Sequence, residues 1–318
     1  MPQPTRSDVH VNKPLTNIST AYIQKASDFV ADKVFPVVPV MKQSDLYFTY
    51  DKSYWFKTQS QKRAPSTESA GSSYKVEANT TYFCDVWAVH KDVDDQTRAN
   101  QDQPLDLDRD ATMFVTQQNL LRREKQFVAK YVQANTWTGA ADFTPSTLWS
   151  ASGSDPINDI DKKKSAIKQA TGYLPNTLLV TPDVFFALKN NALVLDRIKY
   201  TQRAIVTEDL LAALFGVEKF LVMWVTEDTA ADNQTSSMSY LAAKSGLLVY
   251  SAPAPSILQP SGGYTFSWNG LFGAGAQGNR IMSFRMEHLK SDRIEGEMAF
   301  DQKLVGSDLG VFLKDVIA

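Results

Sequence analysis

Between Lys42 and Thr81 the chain reads "KQSDLYFTYDKSYWFKTQSQKRAPSTESAGSSYKVEANTT". An aromatic, strand-like run opens the segment, a centre of Gln, Lys, Ser, Thr and Ala follows, and a second strand-like run closes it. About forty residues with so little core-forming content do not fit inside a compact domain as a structureless loop. They fit a long two-stranded projection. Such a ribbon is not stable alone in water and needs a surface to lie on, so the segment makes the chain a component of an assembly. Its apolar surface is concentrated in Tyr47, Phe48, Tyr50, Tyr54, Trp55 and Phe56. The candidate interface residues of the loop are Tyr47, Tyr50, Lys52, Trp55, Lys57, Lys62, Arg63 and Lys75.

The second strong signal is a helix from Pro104 through Val132. Leu107, Phe114, Leu121 and Val128 recur at seven-residue spacing, with Met113, Leu120 and Phe127 in a neighbouring row. Asp106, Asp108 and Asp110 crowd its first turns, where the helix dipole favours acids. At ~1.5 Å per residue it spans about 43 Å, which is the length of a spine rather than of an ordinary globular helix. The expected packing face is Leu107, Phe114, Leu121 and Val128.

Elsewhere helices and strands mix without regular βαβ alternation, an α+β pattern. "TAYIQKASDFVADKV" reads as a short amphipathic helix with Tyr22, Phe29 and Val30 inward, and the prolines of "FPVVPV" force an extended path after it. "PINDIDKKKSAIKQATG" is a helix ended by Gly172, "NTLLV" a short apolar strand, and "TPDVFFALKNN" a helix with Thr181 as cap and Pro182 in its first turn. "TEDLLAALFG" is a further capped helix. "KFLVMWV" is a buried strand, with more strands near 238–250, 264–268 and 280–301.

Catalytic constellations are missing. There are three histidines, no two of them close in sequence, and a lone cysteine, so zinc-ligand spacing is absent and Cys84 reads as a buried strand thiol. The spacing G-x-G-x-x-G does occur, at Gly273, Gly275 and Gly278. A dinucleotide loop, however, needs a helix after its glycines, whereas "RIMSFRMEH" alternates with the period of a strand. A glycine-rich connector between two strands is the better reading, and an oxidoreductase using residues 273–278 is the weakest alternative. "DVDD" at 92–95 and "DLDRD" at 106–110 read as acids that start helices rather than as metal ligands. "RREK" at 122–125 and "DKKK" at 161–164 read as solvated faces. No cofactor and no enzyme activity are expected.

A net charge of −2 gives no general attraction to nucleic acid or to an anionic membrane. The N-terminus lacks the apolar core of a signal peptide, and no run approaches the ~18 apolar residues of a membrane span. The expectation is a soluble, unsecreted protein with no membrane partner.

Several stretches, in sequence order, resemble the major capsid proteins of tailed bacteriophages with the Hong Kong 97 (HK97) fold. They are "FPVVPVMKQSDLYFTYDKSYWFK" at 35–57, residues 172–222, "SAPAPSILQPSGGYTFSW" at 251–268 and "SDRIEGEMAFDQKLVGSDLGVFL" at 291–313. The resemblance covers about residues 22–318. It implies an N-terminal arm and first helix (1–42), an extended loop (43–81), a peripheral domain with the spine helix (82–155), an axial domain (156–283) and strands returning to the peripheral domain (284–318). In that family the extended loop lies on a neighbouring subunit, and pentamers and hexamers build an icosahedral head around double-stranded DNA, bound without sequence specificity.

The same resemblance implies a virion protein assembled in the host bacterial cytoplasm. The partners it implies are copies of itself, a portal, decoration proteins, and either a separate scaffolding protein or none. Some relatives cross-link a loop lysine to a neighbour's asparagine, and Lys52, Lys57, Lys62 and Lys75 are the residues available for that. An encapsulin-type compartment shell is the alternative with the same fold.

Overall fold

The computed structural model describes residues 23–101, 105–199, 206–255, 259–272 and 278–318. Tyr22, the arm before it, Pro104, Gly273 and Gly275 lie outside these. Thirteen strands are described: β1 Val37–Val40, β2 Ser44–Tyr50, β3 Val76–Phe83, β4 Asp85–Asp94, β5 Thr177–Val180, β6 Lys219–Val222, β7 Thr226–Asp228, β8 Met238–Tyr240, β9 Gly246–Val249, β10 Gly263–Trp268, β11 Asn279–Met286, β12 Ser291–Leu304 and β13 Gly310–Leu313.

The long strand β12 organises the peripheral part. Along Ser291–Met298 it pairs antiparallel with both β4 and β11. Its C-terminal end, Phe300–Leu304, pairs with β10, and β10 carries β1 in parallel at the sheet edge. The spine helix, Leu107–Tyr131, lies across β4 and β12. Gly296 of β12 is what permits this approach, because a Cβ there would sit 2.2 Å from Val115 Cγ1. β2 and β3 form a separate antiparallel ribbon, the stem of the extended loop.

The axial part is a four-stranded sheet in the order β13-β9-β5-β6, with only β5 and β6 parallel. β5, β9 and β13 are buried at every residue, as expected for short runs such as "TLLV" and "GLLV" that are covered on both faces. One face packs on helices through Ile160, Ile167, Leu188, Leu211 and Phe215. The other packs through Leu179, Leu247, Val249 and Phe312 against Phe35, Phe127, Tyr131 and Trp137. That second cluster is the seam between the peripheral and axial parts.

Local chemistry explains the helices. Asp155 caps Pro156–Thr171 by accepting from Asn158 N–H, and Gly172 ends it at φ 79°. Thr207 caps Glu208–Phe215, ended by Gly216 at φ 59°. Thr181, expected to cap Pro182–Asn190, makes no such bond, and its hydroxyl oxygen is buried without a partner.

Four further expectations change. The first helix is broken: a 3₁₀ turn at Ala26–Asp28 and a short helix at Ala31–Val34 are separated by Phe29 and Val30. The strands β10 and β11, expected within an axial domain running to 283, belong to the peripheral sheet. Within 284–318 only β12 returns to that sheet, since β13 completes the axial one.

The spine's buried face is also rotated. Ala111, Val115, Phe127, Val128 and Tyr131 are buried, whereas Phe114 is 40% exposed, Leu121 is half-buried, and Leu107 packs at the edge beside Val93, Ala111 and Ile294. A helix on a flat sheet buries the stripe facing its own strands, and a seven-residue count drifts across that stripe over so many turns. Phe127→Ala in the unassembled subunit should therefore cost about 3–5 kcal/mol in urea unfolding. Phe114→Ala should stay within about 0.5 kcal/mol, and equal losses would show that the seven-residue row is the packed face after all.

Candidate assembly surface

The ribbon β2–β3 has two unlike faces. Tyr47 turns inward, its ring 5.5 Å from Phe266 of β10, which stacks at 4.6 Å on Tyr82. This anchors the stem to the peripheral sheet, and burial raises the Tyr47 hydroxyl above its ordinary pKa. On the other face Leu46, Phe48 and Phe83 are 51%, 63% and 52% exposed, and no element among the described residues covers them. Beyond the stem, Asp51 caps a single helical turn, Lys52–Trp55, by accepting from Ser53 N–H at 2.8 Å. The rings of Tyr50, Trp55 and Tyr74 gather at 5.5–6.2 Å and close the neck. Residues 57–75 then run without helix or strand.

The loop's root rests on its own chain. Lys52 Nζ is 2.5 Å from Asp308 and donates to the Ala170 carbonyl at 3.3 Å. Phe56 packs over Gly172, where a Cβ would meet its ring at 2.7 Å. Cation and carbonyl meet at the C-terminal end of helix Pro156–Thr171, where the dipole favours positive charge. Asp308 was invisible to sequence reasoning, because nothing local marks a residue so far along the chain as a partner of Lys52. Of the remaining loop cations, Lys75 binds Glu77 at 2.5 Å, and that bond raises its pKa. Arg63 donates to the Thr67 carbonyl, while Lys57 and Lys62 stand in solvent.

The charged runs are structural. Asp94 and Asp106 cap helices and Asp95, Asp108 and Asp110 lie in their first turns, whereas Asp92 is still in β4. Arg98 pairs with Asp108 at 2.6 Å and with Asp292, Arg285 bonds Asp95 through two nitrogens, and Arg293 bonds Asp92 likewise. "RREK" is a solvated face only at Arg122 and Lys125. Arg122 lies 3.8 Å over the Trp87 ring, buried Arg123 pairs with Asp32 at 2.6 Å, Glu124 is 1% exposed, and Lys125 pairs with Glu227 at 2.5 Å. In "DKKK", Lys164 is buried and donates to the Phe215 and Gly216 carbonyls at 2.7 and 2.9 Å.

Gly278 leads straight into β11, so the strand-to-helix geometry of a dinucleotide loop is not met. Among the described residues no His, Cys, Asp or Glu cluster could hold a metal ion, and no helix is long and apolar enough to cross a membrane.

No protein-family profile matches the chain. The major capsid protein of Burkholderia phage BcepMu is 27% identical, the alignment covering 96% of each chain. Among solved structures, a phage-related protein from Bordetella bronchiseptica RB50 superposes with a TM-score of 0.71 at 22% identity, over 92% of this chain and 94% of the other. The capsid protein of cyanophage P-SCSP1u gives 0.60 at 11% identity, over 96% and 93%. The chain has the HK97-like capsid fold. That shell fold is shared by the SrpI encapsulin of Synechococcus elongatus PCC 7942, with a TM-score of 0.55 at 12% identity, over 96% of this chain and 93% of that one.

Cys84 sits at the foot of the loop stem, fully buried, its thiol directed at the Phe266 carbonyl. Burial pushes the thiol up to about 12, so it holds almost no thiolate at neutral pH. A thiol reagent at mildly alkaline pH should leave Cys84 unmodified in the native protein and modify it fully after urea unfolding. Prompt labelling of native protein would show that the stem opens.

Proposed function

We propose that this chain is the shell subunit of a tailed-phage head, closing into pentamers and hexamers by head-to-tail contacts that join into an icosahedral shell around double-stranded DNA. The observation that carries this is the loop: a ribbon whose outer face, Leu46, Phe48 and Phe83, is covered by nothing among the described residues. Burying each such side chain on a neighbour contributes about 1.5–3 kcal/mol. A contact made by one patch with a different patch on the next copy closes rings when the rotation permits. The loop residues Tyr47, Tyr50, Lys52 and Trp55 set the ribbon's stem, neck and root, and Lys57, Lys62, Arg63 and Lys75 give it polar reach. The exposed side of the spine, Phe114 with Met113, is a second surface for a neighbour.

In this reading the protein acts by geometry and is no enzyme. It works in the virion, after assembly in the host bacterial cytoplasm, with a portal and with decoration and scaffolding proteins as its other partners. With a net charge of −2, the DNA is enclosed without sequence-specific contact. An encapsulin-type compartment is the second reading, because the fold serves both. The homologue with a capsid name favours the phage head. Purified particles containing nuclease-protected DNA support the head, and a packaged enzyme in place of DNA supports the compartment.

Replacing residues 57–74 by a two-residue turn should leave a soluble, folded subunit that makes no stable shells in negative-stain micrographs. An unfolded product would place the loop in the core, and normal shells would remove it from the assembly.

Forming an isopeptide bond needs a neutral, desolvated lysine amine. Here Lys52 and Lys75 are ion-paired, and Lys57 and Lys62 are in water. Non-covalent shells are therefore expected. Boiled in detergent, they should run as one band at 35.4 kDa on a denaturing gel, and a ladder of larger species surviving boiling would overturn this.

A further inference from the structure

Glu124 is the one carboxyl among the described residues that lies buried in the middle of the spine, and no part of the assembly surface uses it. Its side chain is 1% exposed. Oε2 accepts from Val30 N–H at 3.1 Å and from Ala31 N–H at 3.0 Å, at the start of the turn Ala31–Val34. Oε1 is buried with no partner. A carboxylate taken out of water needs both oxygens satisfied, and this one is half-satisfied. The turn it holds precedes β1, which in turn precedes β2 and the extended loop.

We propose that Glu124 is a proton-dependent latch, fastening the Val30–Val34 turn to the spine when protonated and loosening it when ionised. The charged groups around it come from three sides. The turn supplies Asp32, whose charge favours the proton, and Lys33, which opposes it. The spine supplies Arg123, already bonded to Asp32 and to Asn279 Oδ1, and Lys125, which turns away to Glu227 of β7. β12 supplies the neutral Gln302, whose Nε2 donates to the Arg123 carbonyl at 3.4 Å.

Burial is the largest influence and outweighs the two N–H bonds, raising the carboxyl from 4.5 to about 7 in the closed form. An opened turn lets water reach the group and returns it to its ordinary value. The closed form therefore binds the proton more tightly. The latch is fully closed below about pH 4.5 and loosens progressively as pH rises to about 7.

Amide hydrogen exchange on the unassembled full-length subunit tests this, followed on a peptide spanning Phe29–Pro36 and corrected for the intrinsic pH dependence of exchange. Between about pH 5 and about pH 8 the opening equilibrium should rise by a factor on the order of tens, while a peptide over Thr177–Val180 stays unchanged. Glu124→Gln keeps an oxygen that accepts both N–H groups but cannot ionise, so its exchange should be flat with pH. Asp32→Asn removes the neighbouring like charge and should move the midpoint of the rise downward. A flat wild-type profile, or a rise that persists in Glu124→Gln, overturns the proposal. Should Glu124→Gln fail to fold, an unmoved midpoint in Asp32→Asn overturns it as well. None of these readouts depends on shell formation, so the latch and the capsid reading fail separately.

Discussion

The aromatic seam around Phe35 is the contact on which the rest of the structure depends. The Phe35 ring meets Phe127 edge-on at 5.1 Å, Tyr131 at 4.8 Å and Trp137 at 6.3 Å, and it is fully buried. These rings come from the segment before β1, from the spine helix and from the loop after it. Beneath them lie Leu179, Leu247, Val249 and Phe312 of the axial sheet. A single-layer sheet of short strands must be covered on both faces to be stable. Helices cover one face of the axial sheet, and the seam covers the other. The peripheral and axial parts are therefore one packed body, and the direction of the spine is set by what it buries at its C-terminal end.

Charge within this body is used to position elements. Arg123 and Asp32 tie the segment before β1 to the spine, and Glu124 holds the same segment through its backbone. Lys164 binds the free carbonyls at the end of helix Glu208–Phe215, meeting a need that every helix C-terminus has. At the far end of the peripheral sheet, Arg98 and Arg285 bind acids at the start of two helices, and Arg293 bonds Asp92 across β12 and β4. Pairs as exposed as Arg285 with Asp95 contribute little stability each. Their value lies in fixing the spine's start against β11 and β12, so that the loop and the spine hold a constant relation to each other.

The extended loop combines a fixed base with an uncovered blade. Tyr47, Phe266 and Tyr82 hold the stem, and Lys52, Asp308 and the Phe56–Gly172 contact hold the root. Between these anchors the outer apolar face is left to water. The shell proposed above needs this division, with enough own-chain contact to aim the ribbon and too little to satisfy it.

Local and periodic features carried most of what could be read from residues alone. The ribbon 42–81 was legible because its composition cannot make a core. The spine was legible from its apolar spacing and acidic start, and the helices ending at Gly172 and Gly216 from their caps. The strand after Gly278 was legible from its period of two, which removed the dinucleotide reading. What stayed hidden needed partners distant in sequence. The buried side of the spine is chosen by the sheet it meets, so Phe114 falls outside it while the charged Arg123 and Glu124 fall within it. The broken first helix reflects Glu124 capturing the N–H groups of Val30 and Ala31, and the domain boundaries moved because β13 finds its pairing in β9. Sequence alone determined which segments could be helix, strand or projection, since those choices depend on neighbours a few residues away. Tertiary structure alone decided which faces, charges and strands came together, because those contacts join residues far apart in the chain, such as Glu124 with Val30 or Val249 with Gly310, and no local pattern records them.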